Sequence, residues 1–406
     1  MEHIEIDNPS KCCGCKSCEN ICPKKAIIML ENEEGFLYPS VDENKCINCG
    51  LCKKICPWIN EIDRKLYLDN PICYAAKIKE KEIQKKSTSG GAFATFALRV
   101  LEQGGIVIGS EMDSNHQVHH IIIDNKNDLK KIMGSKYVYS DLEDIFIKIK
   151  EQLNNKKQVL FSGVPCQISA LLNFLQKTYD NLITVEVICH GTPSQRLFDK
   201  YVDYLEEKNS AKLKDFQFRS KKAANWGTFK ALASFVDANR NSQSKFTKKI
   251  NADFDPYYWS FLNCKNYRES CYECKFANPE RNADITLGDF WGIEHIKPDM
   301  VDYDGVSVVI INSNKGVKLF ETIKENLECD IVDYNEIQQN NGQLKEPSKR
   351  PIERDIWYNN FHSKDFIKKI KIQRSFKSYI KIIFPQKLKF RFKKIISKNR
   401  SNVNDI

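Results

Sequence analysis

A chain of 406 residues, 41 % of them hydrophobic, has the material for one large core or two smaller ones, and no apolar run approaches a membrane span. The net charge of +10 is concentrated in residues 364–400, where 14 Lys/Arg face one acidic residue; the remainder has 49 basic residues against 52 acidic ones, which excludes a nucleic-acid-binding body. Sixteen cysteines with no apolar stretch suited to a secretory signal point to a reducing cytoplasm, not to disulfides.

The first element in chain order is a cysteine run that occurs twice. Cys12, Cys15, Cys18 and Cys22 precede Pro23, and Cys46, Cys49, Cys52 and Cys56 precede Pro57. This is the C-x2-C-x2-C-x3-C-P spacing of bacterial two-cluster ferredoxins. Three thiolates on one tight loop cap one face of a cubane, and the fourth, on the next helical turn, reaches the other cubane. The expected sets are therefore Cys12, Cys15, Cys18 and Cys56 for one [4Fe-4S] cluster, and Cys46, Cys49, Cys52 and Cys22 for the second. Cys13 is left over. Zinc modules pair separated C-x2-C knuckles and match less well. Residues 26–30 and 35–39 read as a hairpin covering the clusters, and 61–71, ending in Asn70-Pro71, as a linker.

From residue 72 strands and helices alternate. Residues 72–76, 105–109, 118–124, 158–161 and 182–188 read as strands. Helices are predicted over 91–102, from Asp141 through Leu153, over 165–176 with Pro165 at the first position, and over 194–205. Residues 213–219, 228–235 and 245–250 form an antiparallel insert, 284–287 and 306–312 are further strands, and 317–327 is a helix. The expected architecture is an α+β dicluster domain (1–60), the linker, an α/β domain with a mixed sheet and an antiparallel insert (72–345), and a basic tail (346–406).

Four polar loops are assigned to strand-to-helix junctions. Residues 87–91 (STSGG) bring hydroxyls, bare amides and a helix N-terminus to where a phosphate would bind; 134–140 (GSKYVYS), 162–167 (SGVPCQ) and 189–194 (CHGTPS) lie at comparable junctions. No G-x-G-x-x-G occurs, so a Rossmann dinucleotide site has no support. Cys166, Cys189, Cys271 and Cys274 make a candidate third [4Fe-4S] site, with zinc as the other metal and Cys264 as an alternative ligand; Cys73 and Cys329 read as core cysteines. His190 is a candidate catalytic proton donor or a structural histidine. Asp284 and Asp289 bracket a short strand and either bind substrate or cap backbone amides.

Taken in order, the ferredoxin pair, STSGGAFAT, GSKYVYS, GVPCQ, CHGTPS, CYEC and ADITLGDFWG resemble the coenzyme F420 hydrogenase/dehydrogenase beta-subunit family over residues 10–345. More narrowly, the chain resembles bacterial members with a fused two-cluster ferredoxin, often encoded among polysaccharide-biosynthesis genes. The resemblance implies FAD in the α/β domain, an additional iron–sulfur site, and electron transfer between clusters and a two-electron acceptor, with coenzyme F420 a candidate substrate. It makes Ser89, Gly90, Gly91, Ser135, Lys136 and Tyr137 candidates for the flavin pocket. The implied activity is that of an iron–sulfur flavoprotein oxidoreductase drawing single electrons from a partner such as ferredoxin. The alternative is a relay subunit that serves a separate catalytic subunit.

In the tail, Phe366, Ile370, Phe376, Ile380 and Ile383 recur near helical spacing among lysines, and residues 388–393 read LKFRFK. A basic amphipathic segment of this kind is expected to lie against an anionic membrane surface, placing the protein in the cytoplasm at the inner membrane face. A solvated helix on the body or a loose end is the other reading.

Overall fold

In the computed structural model, which describes residues 3–62, 67–237 and 245–373, the doubled cysteine run folds the same way twice. Gly14 and Lys16 flank Cys15 in the left-handed backbone region, at φ 71° and 59°; Asn48 and Gly50 flank Cys49 at φ 51° and 71°. Two left-handed residues around the middle cysteine curl each loop so that its thiols face one side. A helical turn follows in each half, Ser17–Ile21 and Leu51–Lys54. Between the halves, β1 (Ile27–Glu31) and β2 (Leu37–Val41) pair antiparallel with Met29 opposite Pro39, the expected hairpin. Ile27 packs with Cys18, Cys22, Cys52 and Cys56, whereas Phe36, beside the turn, is buried in the body.

The body is built on an eight-stranded mixed sheet. Its strands are β3 (Tyr67–Ile78), β4 (Ile106–Met112), β5 (Val118–Ile123), β6 (Val159–Gly163), β7 (Leu182–Val187), β11 (Ile285–Asp289), β12 (Ser307–Ser313) and β13 (Leu327–Ile331). The spatial order is β13-β3-β12-β11-β7-β6-β4-β5. The neighbours β4-β6, β6-β7 and β7-β11 are parallel, as alternating strands and helices require, and the flanking pairs are antiparallel. Side chains alternate between faces: Val107 packs with the helices Ala92–Glu102 and Asn314–Glu321, while Ile106 and Ile108 pack with Ile145–Asn154 and Pro165–Leu175. A second sheet, β8 (Ala211–Gln217), β9 (Lys230–Asp237) and β10 (Lys245–Asn251), is the antiparallel insert, in the order β10-β9-β8. With Gln195–Asn209 and Pro256–Leu262 it encloses an aromatic core containing Phe198, Tyr201, Phe216, Phe218 and Tyr257.

Three expectations need correction. The linker stops short of residue 71, because Tyr67–Pro71 is the first part of β3. Pro71 is tolerated there because β13 covers only Tyr74–Ile78 and the register with β12 shifts between Ile311 and Ser313. The helix read over 317–327 ends at Glu321, and Leu327 opens the edge strand β13. The helix read from Asp141 begins at Ile145; Asp141 itself bridges to β5 and binds Lys16 at 2.7 Å.

Residues 346–373, assigned to the tail, pack on the body. Tyr358, Phe361, Phe366 and Ile367 join the aromatic core, and the buried Arg354 donates two hydrogen bonds of 2.7 Å to the Glu34 carboxylate in the β1–β2 turn. Residues 374–406, with Phe376, Ile380, Ile383 and the stretch 388–393, lie outside the described residues. Among the described residues no helix is long and apolar enough to cross a membrane.

Candidate functional site

The two amino-terminal cysteine sets differ in depth. Cys22, Cys46, Cys49 and Cys52 line one small cavity with His3 and Ile27, and Cys49 is exposed to solvent. Backbone amides point at its sulfurs: Ile4 N–H donates to Cys52 Sγ (3.2 Å) and Ala26 N–H to Cys22 Sγ (3.3 Å). The other set lies deeper. Burial, then the neighbouring Cys15, pushes the Cys56 thiol up to about 11, and Cys18 is raised by burial together with Cys15, Cys12 and Cys56. Four thiols that repel one another as anions in a buried place are stable as thiolates only with compensating positive charge, which iron supplies.

The third cysteine set comes from four separate places. Cys166 is the second residue of the helix Pro165–Leu175, Cys189 follows β7, Cys271 lies on the turn Glu269–Tyr272, and Cys274 follows it. All four line a cavity of about 40 Å³. Arg281 holds the loop after Cys274 by donating to Phe276 O (2.9 Å) and to the buried Glu186 carboxylate (2.5 Å). The fifth cysteine on this cavity is Cys13, not Cys264, which faces the larger cavity described next. Among the described residues no group of three His, Cys, Asp or Glu is gathered around a single point.

Beside this site is a cavity of about 610 Å³ under the carboxyl ends of β6, β7 and β11. All four polar loops reach it, although 87–91 follows the short helix Lys81–Lys86 and 134–140 follows Leu129–Ile132, so only two of them leave a strand directly. Of the six residues proposed for a flavin pocket, Ser89, Gly91, Ser135, Lys136 and Tyr137 line the cavity and Gly90 does not. Gly90 is held by the sheet: a Cβ there would meet Ala76 O at 2.3 Å and Ser307 N at 2.7 Å. The Ser89 hydroxyl is likewise engaged, donating to Val306 O (2.8 Å). Thr88 Oγ1 ties two of the loops together by accepting from Ser135 N–H (3.0 Å) and Ser135 Oγ (3.2 Å).

Several observations fit an anionic, partly aromatic ligand in this cavity. The helix Ala92–Glu102 points its N-terminus at it from Gly91 (φ +92°) with no side-chain cap. The Lys136 ammonium is depressed to about 7, chiefly by burial with Glu111 opposing, and donates to Met133 O (2.9 Å). Ser110 Oγ is buried on the cavity wall with no partner among the described residues. Tyr137 stacks on Phe261 at 4.5 Å, and Arg219 lies over the rings of Phe229 and Trp291 while pairing with Asp289. The volume is in the range of pockets that enclose an extended organic cofactor.

The two aspartates therefore separate. Asp289 accepts from Arg219 and from Trp226 Nε1 (2.7 Å) on the cavity wall. Asp284 is internal, accepting from Thr184 N–H and Oγ1 (both 2.8 Å) and from Ser313 Oγ (2.5 Å), and does not reach the cavity. His190 lines both cavities; its side chain is exposed to their open space, and the protein around the ring lowers its pKa by desolvation. Tyr139, Val164, Cys189, Gly191 and Thr192 also line both, so a single loop and two side chains make the partition between them. Arg219, Ser110 and Trp226 carried no local pattern that would have marked them, whereas Trp291 stood in ADITLGDFWG; Cys13 was visible as a ninth cysteine in the amino-terminal run.

Comparison with known proteins agrees with the motif order. Residues 11–59 match a 4Fe-4S dicluster domain. Residues 73–146 and 156–337 match the amino- and carboxyl-terminal models of the coenzyme F420 hydrogenase/dehydrogenase beta subunit. No curated protein matches the chain. Among solved structures, a chain of the xenon-derivatised F420-reducing [NiFe] hydrogenase complex from Methanosarcina barkeri is 17 % identical, with a TM-score of 0.42 over 71 % of this chain and 99 % of that one. The chain is an iron–sulfur electron-transfer protein that belongs to the coenzyme F420 hydrogenase/dehydrogenase beta-subunit family and has a 4Fe-4S dicluster domain at its amino terminus.

Proposed function

We propose that the protein is an iron–sulfur flavoprotein oxidoreductase with three [4Fe-4S] clusters and one FAD. The observation that carries this reading is the partition: the four-cysteine cavity and the 610 Å³ cavity share Cys189, His190, Gly191 and Thr192 as a wall. Cys22, Cys46, Cys49 and Cys52 would hold an outer cluster beside the exposed Cys49, Cys12, Cys15, Cys18 and Cys56 a deeper one, and the four-cysteine set beside Cys13 a third. Together they would supply single-electron transfer toward the larger cavity. Bound flavin supplies the conversion of two single electrons and a proton into a hydride equivalent, which clusters alone do not perform. The chain's residues hold and shield: the amides of 91–94 and Lys136 meet phosphate, Tyr137, Phe229 and Trp291 cover apolar surface, and His190 is placed to move a proton at the partition. A cubane is preferred to zinc at the third site because the dicluster domain adjoins it, its Cys13 and Trp58 lining the same cavity.

Coenzyme F420 and intermediates of polysaccharide biosynthesis are the acceptors to assay. The basic segment beyond residue 373 is assigned to peripheral contact with anionic membrane on the cytoplasmic side. Anaerobic purification with iron, sulfide and flavin quantified together tests the core of the proposal. About twelve irons and one FAD per chain are expected, three cubanes' worth. Eight irons would remove the third site, and absence of flavin would overturn the enzyme reading. A holoprotein that reduces a co-purified subunit but no small molecule would establish the relay alternative, to which the family's description as a beta subunit also points.

A further inference from the structure

We propose that Trp58, from the amino-terminal module, donates its indole N–H to a sulfur of the cluster held by Cys166, Cys189, Cys271 and Cys274, and thereby raises that cluster's reduction potential. The proposal rests on reading that cavity as an iron–sulfur site. Trp58 is two residues past Cys56, a ligand of a different cluster, yet its side chain lines the four-cysteine cavity. Its Nε1 is buried and has no hydrogen-bond partner among the described residues. A buried indole N–H without an acceptor is costly and rare, and the side chains around this cavity that carry the metal-binding chemistry offer sulfur as the acceptor.

Contacts to both the ring and the backbone hold Trp58 in place. It meets Phe276, two residues after Cys274, edge to face at 5.9 Å and 78°. Lys275 Nζ donates to Trp58 O (3.3 Å), and Lys11 Nζ lies 5.8 Å from the ring centre. Glu273, between Cys271 and Cys274, accepts from Ser10 Oγ (3.0 Å) and Lys11 Nζ (2.9 Å). The turn carrying Trp58 and the segment Ser10–Lys11 before Cys12 are thus both joined to the loop carrying two of the third site's cysteines. A donor fixed by such contacts acts on the cluster through charge. The reduced cluster carries one more negative charge than the oxidised one, so an N–H directed at its sulfur stabilises the reduced form more. Trp58 is a positioning and tuning residue here, not a ligand.

The test is Trp58→Phe in the full chain, purified anaerobically and followed by EPR-monitored redox titration. Phe keeps the ring contact with Phe276 and removes only the donor. The expected result is an unchanged iron content near twelve and a third-cluster midpoint shifted negative by about 59 mV, equivalent to a roughly tenfold lower reduced-to-oxidised ratio at fixed potential. The two amino-terminal clusters should keep their midpoints. Pulsed EPR of the wild-type protein should also show a proton coupling at the third cluster that is lost in D2O and absent from the variant. An unshifted midpoint with full iron content overturns the role of Trp58 and leaves the third cluster standing. A wild-type protein with eight irons overturns the site itself. If the variant fails to assemble, the wild-type spectrum decides, since a third cluster with no exchangeable proton coupling overturns the proposal.

Discussion

Arg268 shows how one side chain can bind two modules together. It is buried, donates from Nε to Cys12 O (2.6 Å) and from Nη2 to Leu37 O (2.7 Å), and lies 4.1 Å over the Tyr38 ring. Gly14 makes room for it, since a Cβ there would meet the guanidinium at 2.9 Å. Arg268→Met keeps most of the bulk but leaves two buried carbonyls without donors. It should cost about 3 kcal/mol, read as a lower denaturation midpoint, with faster loss of the Cys12 cluster in air. Lys136 supplies a pH dependence. With its pKa lowered to about 7, chiefly through burial, the amine is charged below that pH and neutral above it. If the proposed FAD occupies the cavity, its phosphate would hold the proton, and its affinity should weaken as pH rises from 7 to 9, approaching tenfold per pH unit. Lys136→Met should flatten that slope in a fluorescence titration; an unchanged slope would show that Lys136 does not meet the anion.

At the scale of elements, the loop from Cys189 to the helix at Gln195 has to turn sharply between two sites. Gly191 adopts φ +142°, and a Cβ on it would enter the Tyr267 ring at 2.3 Å. Tyr267 is not free to withdraw, because its hydroxyl donates to Phe261 O (2.8 Å) and its carbonyl accepts from Arg354 (2.8 Å). Gly191→Ala should therefore displace Cys189 and His190 together. The expected readout is a fall from about twelve irons to about eight with loss of flavin, while the signals of the amino-terminal clusters persist. Retention of both cofactors would show that the partition tolerates a shift.

At the scale of the molecule, the module and the body are joined by many small contacts. Tyr139 Oη donates to Gly14 O (2.7 Å), Lys16 pairs with Asp141, and Arg354 closes on Glu34 from the far end of the chain. The last of these places residues 346–373 in the fold. A chain ending at Lys345 should lose the burial of Tyr358, Phe361, Phe366 and Ile367, roughly 6 kcal/mol or more, and should unfold or aggregate. One ending at Gln373 should keep its iron and flavin and its melting temperature. Pelleting the full chain and the Gln373 truncation with anionic vesicles separates the tail's roles: equal binding would remove the membrane assignment.

What the linear chain determined is what depends on local spacing. Cysteines three and four residues apart must share a loop and a helical turn, so the dicluster domain was legible, as were the hairpin and the alternation that builds a parallel centre. The grouping of Cys166, Cys189, Cys271 and Cys274 was read from the chain as a candidate, but that Cys13 and Trp58 join them was decided by the tertiary structure. The third cavity gathers Cys13, Trp58, Cys166, Cys189 and Cys274 because the sheet order puts β6, β7 and β11 side by side and the module docks over their loops. The same order turned Cys264 toward the other cavity, tied Gly90 to the sheet and buried Asp284 in a hydrogen-bond network. Nothing in the residues flanking those positions differs from a turn or a cap, so only the packing of distant strands could assign them.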